Sequence, residues 1–100
     1  MNPEKICDAV SKLRKRNKSF NILVSDIDTK FEEFITKSQS KFVLTGWKTP
    51  VKLLVPYKKI GAKEKSLLER YISLKYSIFG RRFTIQKSLF FKRYIIRNYI

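Results

Sequence analysis

One hundred residues with 43% apolar and 31% charged side chains make a single domain, 1–100, with one modest core and no global disorder. The net charge of +15 exceeds anything a fold needs and works against compaction, so it points to a polyanionic partner. The absence of histidine removes the commonest general base and metal ligand, and the lone Cys7 excludes an internal disulfide and a cysteine–histidine pair.

At the N-terminus, Asn2 is placed to cap a helix whose first turn takes Pro3. Ile6, Ala9, Val10 and Leu13 share one face, and Arg14, Lys15 and Arg16 complement the dipole at the C-terminal end, so a helix is expected over about 3–16. Cys7 lies beside that apolar face and is expected to pack there. Phe20, Leu23, Val24, Ile27, Phe31, Phe34 and Ile35 then repeat with helical spacing in one arc of roughly 120°, which predicts a second helix over about 19–37 capped by Ser19.

Beyond Ser38-Gln39-Ser40 the pattern shifts. Phe42-Val43-Leu44 and Val51-Lys52-Leu53-Leu54-Val55 read as strands of a short hairpin about Gly46-Trp47-Lys48-Thr49-Pro50, with Pro56 marking an edge strand or its end. Leu67, Leu68, Tyr71, Ile72, Leu74, Ile78 and Phe79 return to helical spacing over 62–79. Ser66 and Glu69 offer a capping box that would start this helix later, and Gly80 offers a stop. The last twenty residues allow two readings: a hairpin of 82–86 and 89–96 turning at Lys87-Ser88, or a strand followed by a helix from Ser88. The expected fold is α+β: two N-terminal amphipathic helices, a short hairpin, a third helix and one of these two endings.

Asn21-Ile22-Leu23-Val24-Ser25-Asp26-Ile27-Asp28-Thr29 resembles the first motif of haloacid dehalogenase-type phosphatases, in which an Asp is the nucleophile. The chain departs from it, because Thr29 follows Asp28 where the motif has glycine, and helical phasing turns Asp26 toward solvent. No phosphate-binding glycine loop is present. The expectation is a non-enzymatic protein with no catalytic residue, metal site or cofactor.

The charge is segregated. Residues 1–37 hold eight Lys/Arg against six Asp/Glu, whereas 38–100 hold fifteen against two, and no acid occurs after Glu69. Phosphate contacts need such cations, and single strands also need exposed rings. The candidate binding set is Lys58, Lys59, Lys63, Lys65, Arg70, Lys75, Arg81, Arg82, Lys87, Lys92, Arg93 and Arg97, with Trp47 as the ring in the hairpin loop. Two or three of the interleaved aromatics are expected to be exposed. If the last segment is a hairpin, the third helix with Arg81 and Arg82 before it resembles the helix-then-wing layout of winged-helix proteins. Two helices followed by Val43-Leu44-Thr45-Gly46-Trp47 resemble the opening of HU-type histone-like proteins, without their arm.

The leading expectation is therefore nucleic-acid binding, DNA favoured over RNA, by a small viral or phage-type factor. The alternative is a basic interaction subunit of a ribonucleoprotein, polymerase or capsid, or an inhibitor docking on an acidic protein, with helix 19–37 as a surface for a partner or second copy. No apolar run approaches the ~18 residues of a membrane span, and no signal-peptide pattern follows Asn2-Pro3. The expected location is intracellular, in host cytoplasm or nucleus or in a virion.

Overall fold

The computed structural model describes residues 2–45, 51–76, 82–90 and 92–98, with side chains described outside 38–45. Three helices and three strands follow in the order α1 (Pro3–Arg16), α2 (Lys18–Thr45), β1 (Lys52–Pro56), α3 (Ala62–Lys75), β2 (Phe83–Ser88) and β3 (Arg93–Asn98). The domain is α+β, and no described helix is long and apolar enough to cross a membrane.

Helix α1 starts as the sequence dictates: Asn2 Oδ1 accepts the Glu4 N–H at 2.9 Å, and Pro3 occupies the first turn. Its apolar face buries Ile6 and Val10, while Cys7, expected to pack, is exposed. Asn17 both ends α1, donating its N–H to Leu13, and caps α2, its Oδ1 accepting the Phe20 N–H at 3.1 Å. The cap is thus Asn17, not Ser19, because a single residue separates the two helices. Arg14 holds them together, donating to Asn21 Oδ1 at 2.6 Å and Ser25 Oγ at 3.1 Å.

Helix α2 continues through Thr45, so the strand expected at Phe42-Val43-Leu44 does not form. Three β-prone residues do not stop a helix already under way, and no glycine or proline lies between Lys18 and Gly46. Phe42, seven positions after Ile35, also continues the helical spacing. The expected hairpin of 42–44 with 51–55 is therefore absent, along with the strand start behind the HU-type resemblance, and the loop 46–50 lies outside the described residues.

Strand β1 finds its partner much later in the chain. The sheet order is β1-β3-β2, both pairings antiparallel, with Lys52 opposite Arg97 and Pro56 opposite Arg93. Pro56 ends an edge strand, where its missing N–H costs no ladder bond. Of the two readings for the C-terminal segment, the hairpin forms, with its strands ending at Ser88 and resuming at Arg93 instead of turning at Lys87-Ser88. β1 and β2 run parallel on either side of β3, and α3 makes the crossover between them.

Helix α3 begins at Ala62 after Gly61, and the Lys65 N–H closes its first turn on the Gly61 carbonyl at 3.0 Å, so the Ser66–Glu69 box is not the start. It ends at Lys75, short of 79, with the Tyr76 N–H returning to Ile72; Gly80 lies outside the described residues.

The helices cover one face of the sheet. Phe20, Leu23, Val24, Ile27 and Phe31 of α2 meet Leu53, Val55, Phe83, Ile85, Tyr94 and Ile96 of the strands and Leu68 and Ile72 of α3 in one core. Phe31 stacks on Tyr76 with ring centroids 4.0 Å apart and meets Phe83 edge-on at 5.1 Å. One turn before it, Asp28 accepts from the Tyr76 hydroxyl at 2.7 Å and from Lys75 Nζ at 3.0 Å. At the same end of the sheet, where Phe83 pairs with Asn98, Asn98 Oδ1 accepts the buried Val51 N–H at 2.7 Å.

Phe31→Ala is expected to cost about 3–5 kcal/mol, read as a lower urea midpoint, because it opens a cavity at the meeting of α2, α3 and β2. Asn98→Ala is expected to cost about 1–3 kcal/mol by leaving a buried backbone donor unpaired. Burial and the bond to Asp28 push the Tyr76 hydroxyl well above its ordinary range, and burial with neighbouring Tyr57 pushes Tyr94 upward. A group that holds its proton more tightly when folded loses its contribution as pH rises past the unfolded value, about 10 for tyrosine. Unfolding free energy is expected to fall above that pH, and the advantage of the native chain over Tyr76→Phe to shrink with it.

Candidate functional site

The sheet has a second face, and the register fixes what it carries. Alternation along β1 buries Leu53 and Val55 and leaves Lys52, Leu54 and Pro56 outside. On β3 the outward positions are Arg93, Ile95 and Arg97; on β2 they are Thr84, Gln86 and Ser88. Three cross-strand rows result: Lys52–Arg97–Thr84, Leu54–Ile95–Gln86 and Pro56–Arg93–Ser88. No described helix packs on this face.

Lys52 and Arg97 stand directly opposite each other. Like charges in that position destabilise a sheet, and neither has a carboxylate partner among the described residues. Lys52 is absent from the set expected from sequence. Its signal was the alternation over 52–56, which turns position 52 outward, but only the pairing with β3 brings it beside Arg97.

A second group gathers where β1 ends and β2 turns into β3. The Tyr57 N–H donates to the Lys92 carbonyl at 3.3 Å, so the segment bearing Lys58 and Lys59 leaves the sheet beside the turn. Lys87 Nζ lies over the Tyr57 ring, 4.3 Å from its centroid, and that ring packs on Tyr94 at 5.2 Å. Arg93 donates to the Lys92 carbonyl at 3.2 Å. Lys58, Lys59, Lys87, Lys92 and Arg93 thus share one end of the sheet.

The remaining candidates lie elsewhere. Lys63 and Lys65 are in the first turn of α3, and exposed Arg70 lies further along it. Arg70 and Arg82 line a shallow groove of about 740 Å³ between α1, α3 and β2, with Ser66, Glu69 and Ser73. Burial raises the Glu69 carboxyl above its usual range against the pull of Lys65. Lys75 is committed to structure: burial opposes its charge, yet the bonds to Asp28 and Tyr71 outweigh that and hold the ammonium above its ordinary value. Asp28, from the phosphatase-like run, therefore ties α2 to α3. Arg81 and Trp47 lie outside the described residues.

Most aromatics are core. Phe20, Phe31, Tyr76, Phe83 and Tyr94 are buried, and among the described rings only Phe90 is largely exposed, at 87%. The open face presents Leu54 and Ile95 at its centre and, among the described residues, no ring. Among the described residues no three His, Cys, Asp or Glu side chains gather at a metal-binding distance. The expected helix-then-hairpin order is present in α3, β2 and β3. Compared with known protein families, characterised proteins and solved structures, the chain matches none.

Lys52→Thr is expected to stabilise the fold by about 0.2–1 kcal/mol at low salt, by removing a like-charged pair. The gain should fade as salt screens that pair in a urea series.

Proposed function

We infer that the protein is a non-enzymatic nucleic-acid-binding factor that holds the phosphate backbone of duplex DNA against the open face of its sheet. The observation that carries this reading is the Lys52–Arg97 pair with Arg93 on the same face. A fold that sets two cations side by side without a carboxylate gives up stability, and an anion between them recovers it. Arg93 and Arg97 are four residues apart on β3. That spacing covers about 13 Å of strand, close to the axial rise of four base pairs.

The cations of the turn end, Lys58, Lys59, Lys87 and Lys92, extend the same field. Lys63 and Arg70 on α3, across the sheet from the open face, and Arg82 before β2 add to the overall attraction for a polyanion. Among the described residues the open face carries no ring, which favours backbone contact with a duplex over base stacking with a single strand. A small viral or phage-type DNA-binding protein fits this reading. The apolar arc of α2 is buried through Phe31 within the chain's own core.

Because β3 is the central strand, the basic tail cannot be removed without the sheet, so point substitutions make the test. Affinity for a short duplex, followed by anisotropy, is expected to fall steeply with salt, with a log–log slope of several units. Lys52→Ala, Arg93→Ala and Arg97→Ala should each reduce that slope by about one, and Lys30→Ala on the outer face of α2 should leave it unchanged. A complex insensitive to salt overturns the reading, as does a slope that the three sheet variants leave intact.

A further inference from the structure

The turn between β2 and β3 breaks the usual chemistry of turns. Such positions favour Gly, Asn, Asp and Ser, which supply left-handed backbone or local hydrogen bonds. Here the sequence is Leu89-Phe90-Phe91-Lys92. Leu89 is 82% exposed and Phe90 87%, and Lys92 adopts φ 50°, a left-handed conformation a lysine rarely takes. Ser88 and Arg93 form the last pair of the ladder, so the turn stands beyond the sheet. Two large exposed apolar side chains thus stand at the end of the hairpin, with Lys87, Lys92 and Arg93 close to them in the chain. Residues 82–98 contain no acid.

We propose that Leu89 and Phe90 form a wedge that enters between base steps of duplex DNA and bends it, while the cations behind them hold the flanking phosphates. This deepens the reading of the open face as a phosphate-binding surface and rests on it. Inserting an apolar side chain costs unstacking, which is offset by the wider contact a bent duplex makes. The arrangement suits that exchange: the apolar groups sit at the tip, and the cations run from the tip back along the sheet to Lys52 and Arg97.

The same layout argues against a flat anionic bilayer as the partner. With the tip inserted, Arg97 would stand about 13 Å behind Arg93 along the strand, beyond the Debye length of about 8 Å at physiological salt. A duplex lying along the sheet keeps phosphates within reach of both.

The test uses the full chain and a 25-base-pair duplex carrying donor and acceptor dyes at its ends, and a second duplex with 2-aminopurine at its centre. The native chain is expected to raise energy transfer, reporting a bend, and to raise 2-aminopurine emission, reporting unstacking. The double variant Leu89→Ala, Phe90→Ala should return both signals to those of free DNA and weaken binding by about ten-fold, with the salt slope unchanged. Both positions are exposed, so the fold is expected to tolerate the change, checked by circular dichroism. Salt-dependent binding with neither bend nor unstacking overturns the wedge and leaves the phosphate-binding reading standing, as does a variant that bends DNA like the native chain. Absence of any salt-dependent binding overturns both. Flotation with phosphatidylserine vesicles that the variant loses, without unstacking of DNA, assigns the tip to lipid and overturns the proposal.

Discussion

The structure depends on how Phe31 and Asp28, one helical turn apart on α2, take hold of Tyr76. The ring of Tyr76 stacks on Phe31 while its hydroxyl reaches Asp28, so one residue meets an apolar and a polar requirement together. Phe83 closes edge-on against the Phe31 ring, which brings the start of β2 to the point where α3 ends. Three elements distant in sequence are thereby fixed in relation to one another. The sheet can form only where α2 and α3 leave its apolar side covered.

That one-sided covering is what leaves the basic face of the sheet open. Helix α2 and the crossover helix α3 take the inward residues of the strands, so each outward residue remains on an open face. On a central strand with period-two alternation, Arg93 and Arg97 must point the same way, and the register brings Lys52 beside one of them. The charge that composition reports as a total thus becomes a patterned face. Lys75 belongs to the same charge excess in the sequence yet is drawn into the Asp28 contact, so adjacent cations in a chain can have different fates.

The helical half of the fold was legible because its signals are local. The spacing from Phe20 to Ile35 and the Asn2-Pro3 start define α1 and α2 without reference to anything else. Phe42-Val43-Leu44 misled because a three-residue propensity was weighed against a helix already long enough to carry through it. The strands were identifiable from alternation, but β1 was paired with the wrong segment, since nothing local to Leu53 or Val55 encodes β3. The binding set showed the same limit. Arg93 and Arg97 could be chosen from charge alone, whereas Lys52 gains meaning only from a register set across the domain. The phosphatase-like Asp28 is a polar residue whose partner, Tyr76, lies 48 positions away.

The pairing of β1 with β3 also orders events during synthesis. Val51 and Asn98 are bonded across 47 residues, so β1 emerges from the ribosome well before its partner exists. Helices α1 and α2 can dock early through Arg14, but Leu53 and Val55 then lie on a strand with two unpaired edges, a template for association with other unfinished chains. Lys52 and the lysines that follow at 58, 59, 63 and 65 emerge with it. Mutual repulsion between nascent chains bearing that charge works against their pairing until β3 arrives. The charge carried on the open face of the finished sheet thus also works against aggregation of the incomplete one.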